Sequence, residues 1–167
     1  MPYLCPNMKP ATLAEIKREL STVGEERLVE ICLRLGKYKV ENKELMTYML
    51  FEAGDEQAFA QGGKREIEEA FEAIPNTNLY YFKKSLRKIL RMVNKQARYS
   101  GIPQTELELR IQFCKCLKQS GVAFEKSPVI KNLYVQQLKK IAAVLKALPE
   151  DLQYDYTEET KILNIKS

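Results

Sequence analysis

The chain contains no histidine and no tryptophan. Without an imidazole, Ser-His-Asp and Cys-His nucleophiles, His-ligated zinc and proximal-His haem are all excluded. Long apolar runs are missing too. The longest near-apolar stretch, Leu45 to Phe51, is interrupted by Thr47 and Tyr48, whereas a spanning helix needs about 20 residues. No membrane span is expected. Residues 1–6 offer neither a basic n-region nor an apolar h-region, so no secretory signal is expected. Cysteine is scarce, at positions 5, 32, 114 and 116 only. Cys114 and Cys116 would stand about 200° apart on a helix, which excludes a bond between them or a shared ion. Cys32 falls on an apolar stripe with Leu28, Ile31 and Leu35. The expectation is four buried free thiols in a reducing cytoplasm, with no metal and no cofactor.

What remains is the composition of a folded protein. With 167 residues, 45% hydrophobic and 29% charged, the length suits one domain and buries roughly 70% of the unfolded surface. The periodicity is helical nearly everywhere. Thr12-x-x-Glu15, Thr22-x-x-Glu25 and Thr105-x-x-Glu108 read as capping boxes. Gly36 reads as a helix stop. Asn42 reads as the cap of a helix over residues 43–53, apolar almost all round (Leu45, Met46, Met49, Leu50, Phe51) and therefore expected to be the central, buried one. Gly62-Gly63 is expected to break or kink the next segment; the following Lys64 makes no P-loop, because the upstream Gly, the Ser/Thr and a preceding strand are missing. Asn78 caps a long helix to about Tyr99, striped by Phe82, Leu86, Ile89, Leu90, Val93 and Ala97. Ser127-Pro128 opens the last long helix. No period-2 run suggests a strand. The expectation is one all-α domain of about seven helices, an orthogonal bundle or a short α-solenoid-like stack of hairpins. Residues 1–11 would form an extended arm, 12–148 the helical core and 150–167 a loosely packed tail.

Charge is unevenly placed. Residues 41–72 carry nine acidic and three basic side chains, whereas residues 79–99 carry seven basic ones and none acidic. The seven are Lys83, Lys84, Arg87, Lys88, Arg91, Lys95 and Arg98. On a helical projection with Phe82 at zero, the apolar stripe spans about 340° to 80° and every cation falls between about 100° and 240°. Tyr80 lies inside the basic arc, and Tyr81 and Tyr99 lie at its edge. A merely solvated helix interleaves both signs. One cationic face some 30 Å long, with tyrosines at its ends, is a candidate polyanion-binding surface. The competing readings are a solvated face, or neutralisation by the acidic helix before it. The carboxylate pairs Glu66/Glu69 and Glu68/Glu72 read as solvated. No catalytic residue can be assigned.

Thr12 to Leu20 and Glu26 to Leu35, a short charged helix followed by a Glu-rich, Leu/Ile-striped one, resemble a pattern of small bacterial helical proteins of unknown function. The resemblance covers the first third of the chain. It implies a cytoplasmic helical domain and carries over no functional residue. Three functions are weighed: a non-catalytic interaction protein with a protein partner or a second copy of itself, a nucleic-acid-binding protein that uses the basic helix, and, least favoured, an enzyme with a carboxylate or lysine in a pocket.

Overall fold

The computed structural model describes residues 9–75, 78–122 and 127–163. Among them the fold is all-α. Nine helices run in the order α1 (Leu13–Leu20), α2 (Glu25–Tyr38), α3 (Val40–Thr47), α4 (Glu56–Glu72), α5 (Leu79–Ser100), α6 (Pro103–Gln119), α7 (Pro128–Ala147), α8 (Glu150–Asp155) and α9 (Thr157–Ile162), with a π-helical turn at Tyr48–Glu52. Seven of these have eight or more residues. The chain divides into two compact units, Met1–Thr47 and Tyr48–Ser167.

In the first unit, the capping box at Thr12 forms as its spacing predicts: Glu15 N–H donates to Thr12 Oγ1 (3.3 Å), and Thr12 N–H donates back to Glu15 Oε2 (2.8 Å). The second box does not. Gly24 is the N-cap of α2 without a side-chain bond, and the Thr22 hydroxyl instead donates to Glu19 O (2.8 Å). Gly36 is no stop either. It lies within α2, buried, where an added Cβ would come within 3.1 Å of Met46 Sδ. Asn42 is not a cap; it sits inside α3 and its amide donates to Leu35 O (2.8 Å), tying α3 to α2. Gly36 is the one buried residue described in this unit. The expectation that Cys32 is buried fails: the thiol is exposed on α2.

The second unit is built around α6. Thr105, Leu107, Leu109, Arg110, Ile111, Phe113, Cys114, Cys116 and Leu117 are buried, on all but one side of the helix. Helices α4, α5 and α7 pack against it. The central helix is therefore residues 103–119 and not 43–53, where Leu45, Met49, Leu50 and Phe51 are all exposed. The third capping box fails for a related reason. α6 opens with Pro103 at its first position, and Thr105 and Glu108 bond to neighbouring elements instead of to each other's backbone. The C-terminal segment packs more closely than its composition suggests: Tyr156 and Leu163 belong to the core, and the Tyr134 hydroxyl donates to Leu163 O (3.2 Å). Cys114 and Cys116 are buried as expected. Cys5 and the first eight residues of the expected arm lie outside the described residues.

Helix α4 runs unbroken through Gly62 and Gly63. The two glycines have different causes. A Cβ on Gly63 would meet Leu109 Cδ2 at 2.6 Å and Gln96 Oε1 at 2.8 Å, so the missing side chain is what lets α4 approach α6 and α5. Nothing lies within 4 Å of a Cβ on Gly62. Gly62→Ala is expected to stabilise by about 0.5–1 kcal/mol through helix propensity. Gly63→Ala is expected to destabilise by about 1–3 kcal/mol through overpacking. Urea unfolding of both variants beside the wild type checks the opposite signs.

Candidate polyanion-binding face

Helix α5 owes its bounds to its ends. Asn78 Oδ1 accepts from the N–H groups of Tyr80 (2.6 Å) and Tyr81 (3.3 Å), and Gly101 closes the helix in the left-handed region at φ 65°. Phe82, Leu86, Ile89, Val93 and Ala97 are buried, as their spacing predicts. Leu90 is half-buried at the edge of the stripe.

Burying that stripe leaves the cations outward. Lys84, Arg87, Lys88, Arg91 and Arg98 are exposed, and Lys83 and Lys95 half-exposed. Lys83, Lys84, Arg87, Lys88, Arg91 and Arg98 form no ion pair with another described residue. Two carboxylates of α4 take amide donors instead of these cations. Glu66 accepts from Gln96 of α5, and Glu68 accepts from Gln112 of α6 (2.7 Å). At the N-terminal end of α5, Tyr80 and Tyr81 are exposed and meet edge to face, with ring centroids 5.6 Å apart. A shallow depression of about 380 Å³ runs along the face, lined by Lys84, Arg87, Leu90, Arg91 and Asn94.

Asn94 is a residue the charge pattern could not flag. Its Oδ1 accepts from Nη1 of Arg110 (3.0 Å), a buried guanidinium on α6. The same Nη1 donates to Gln137 Oε1 of α7 (2.7 Å), while Nε and Nη2 bind Glu106 Oε1 (2.8 and 2.6 Å). One arginine thus holds α5, α6 and α7 at a common point beneath the basic face.

Two other polar clusters tie helices together. The Glu56 carboxylate accepts from three hydroxyls: Tyr48 (2.7 Å), Thr105 (2.5 Å) and Ser100. Burial raises its pKa, but the bonds from Ser100, Thr105 and Tyr48 outweigh that and leave it below the ordinary value. Glu108 pairs with Lys64 (2.5 Å) and accepts from the Tyr156 hydroxyl (2.7 Å). Burial again works upward, and Lys64 and Tyr156 more than reverse it. The phenols move the other way. Tyr48 and Tyr156 are raised by burial first and by their carboxylate partners second.

The stability profile follows from these signs. A depressed carboxylate contributes above its unfolded pKa and loses that contribution as pH falls through the folded value. A raised phenol contributes below its unfolded pKa and loses it as pH rises through the folded value. Stability is expected to be flat between about pH 5 and 8, with an acid limb from Glu56 and Glu108 and an alkaline limb to which Cys114, Tyr134, Tyr48 and Tyr156 contribute. Urea midpoints across pH check this: Glu56→Gln should shallow the acid limb, and Tyr48→Phe the alkaline one.

Among the described residues no group of three or more cysteine and carboxylate side chains is arranged to hold a metal ion, and no helix is long and apolar enough to cross a membrane. The described structure thus brings the sequence-predicted cations and Tyr80 onto one face and adds Asn94 to it. Compared with protein-family models, with curated proteins and with solved structures, the chain matches none.

Proposed function

We propose that this is a non-catalytic interaction protein whose α5 face holds the phosphate backbone of a nucleic acid. The observation that carries the reading is a row of six cations, from Lys83 to Arg98, without a counter-charge among the described residues. Cations of this kind gain by releasing counterions from phosphates, and the exposed tyrosine pair supplies stacking surface for an unpaired base. The half-buried carboxylates favour a non-catalytic role, because Glu56 and Glu108 are engaged in bonds between helices. The test is fluorescence anisotropy of labelled single-stranded RNA and double-stranded DNA. Binding should fall about a thousandfold or more between 50 and 200 mM salt, if six phosphates are contacted. It should be lost in the triple variant Arg87→Glu/Lys88→Glu/Arg91→Glu. No binding by the wild type at low salt, or binding that survives the triple variant, overturns the reading.

A second reading, a protein partner, has its own observation. Nine large apolar residues between Leu13 and Leu45 are exposed in a unit that buries one glycine. The fitting partner is a second copy of the chain. α2 carries Glu25, Glu26 and Glu30 against Arg27 in its first half, Glu30 being paired with Arg27, and Arg34 and Lys37 in its second, so an antiparallel pair sets a net acidic half over a basic one. Sedimentation equilibrium should show a dimer. Glu26→Lys/Glu30→Lys and Arg34→Glu/Lys37→Glu should each be monomeric alone and re-form a dimer when mixed. A monomeric wild type at 100 μM, roughly the weak end of specific association, overturns it.

A further inference from the structure

We propose that the depression on α5 is a phosphoryl-oxyanion subsite and that the Asn94 side-chain amide is its neutral donor, set in place by the buried Arg110. The inference rests on the nucleic-acid reading above and assigns that reading's first point of contact.

The argument begins with the amide. Arg110 offers only donors, so the Asn94 atom facing it has to be Oδ1; the flipped amide would set NH₂ against N–H. With Oδ1 engaged at 3.0 Å, Nδ2 is turned from the guanidinium and has no hydrogen-bond partner among the described residues. Asn94 also lines the depression, so an ordered pair of N–H donors stands beside three cations. Arg110 itself adds little charge there, because Glu106 pairs with it through two nitrogens.

The lining follows one stripe. Lys84, Arg87, Arg91 and Asn94 are spaced three, four and three apart, which stacks them on one face of the helix over about 15 Å. Lys88 projects roughly 40–120° and Lys95 roughly 20–100° further round, and neither lines the depression. The cations of α5 thus fall into two groups that composition cannot separate: those at the depression, which can act with Asn94, and those that only add to the field. Leu90 gives the hollow an apolar wall. Forked guanidiniums, an ammonium and an oriented amide are the donor types that suit phosphoryl oxygens.

The test uses equal charge changes at unequal places. Arg91→Gln and Lys88→Gln each remove one positive charge from the same helix turn region. Asn94→Leu removes none. Anisotropy with a labelled single-stranded RNA at 50 mM salt, and calorimetric titration with inorganic pyrophosphate, are read on the full chain. Arg91→Gln is expected to weaken both probes about tenfold or more, and Asn94→Leu about tenfold, as for loss of a hydrogen bond to a charged group. Lys88→Gln should cost less than about threefold. Asn94→Asp keeps an acceptor for Arg110 and replaces only the free donors, so it should lose binding with its unfolding transition intact.

If Arg91→Gln and Lys88→Gln weaken RNA equally while Asn94→Leu does nothing, the subsite is overturned and the nucleic-acid reading stands. Pyrophosphate binding with the expected variant pattern, but no RNA binding, upholds the subsite with free phosphate as its ligand and overturns the nucleic-acid reading. No binding of either probe overturns both.

Discussion

Arg110→Ala is expected to destabilise the second unit by about 3–5 kcal/mol, the cost of removing one partner from a buried charged network. Arg110 is 5% exposed and supplies all the hydrogen bonds that join Asn94, Glu106 and Gln137. Its removal leaves three kinds of damage. Gln137, 1% exposed, keeps a buried Oε1 with no donor, worth about 1–3 kcal/mol. Glu106 loses its counter-charge, at a smaller cost because its side chain is about one-third exposed. The aliphatic stem leaves a void between α6 and its neighbours. Urea unfolding followed by helical ellipticity measures the total, and a second substitution apportions it. Gln137→Leu in the Arg110→Ala background removes the orphaned amide and should recover about 1–2 kcal/mol, whereas alone it should be destabilising. Additive losses in that cycle would show that the arginine and the glutamine are not energetically coupled. Arg91→Ala, an exposed arginine, should stay within about 0.5 kcal/mol of wild type.

That contrast between two arginines marks where the sequence was legible. Helix α5 could be read except for Asn94. Its cap follows from the Asn78 side chain, and its buried stripe and cationic face follow from a period of 3.6 residues, because one side meets the core and the other meets water. α6 could not be read this way. Glu106, Glu108, Arg110, Lys115 and Lys118 look like marks of solvent, yet each is matched at the helix perimeter: Glu108 by Lys64, Lys115 by Glu159 (2.8 Å), Lys118 by Ile162 O (2.8 Å), and Glu106 with Arg110 by one another. Three of these partners lie 44 residues away and leave no local trace; Glu106 and Arg110 are four apart, a spacing that reads equally well as a solvated pair. Thr105 and Glu108 show the same limit: their spacing satisfies a capping box, and tertiary partners take both side chains. Asn94 escaped for a related reason. It carries no charge, and only the arginine beneath it gives its orientation meaning.

The same misreading has a measurable counterpart in two phenylalanines. Phe113→Ala is expected to cost about 3–5 kcal/mol, and Phe51→Ala less than about 0.5. Sequence favours the opposite order, since Phe51 sits in an apolar run and Phe113 among charged neighbours. Phe113 is fully buried at the middle of α6 and meets the Phe71 ring of α4 edge to face, with centroids 5.6 Å apart. Truncation there removes that aromatic contact and opens a void lined by residues from helices that pack on α6, which cannot collapse without moving them. Phe51 is 79% exposed in the π-helical turn, so its ring has little burial to lose. Thermal and urea unfolding of the two variants should therefore rank them by position around the central helix, not by the hydrophobicity of the surrounding sequence. If Phe51→Ala proves the costlier in the isolated chain, that ring is covered in solution and the exposed run is itself an interface, which would shift weight to the second reading and its self-associated chain.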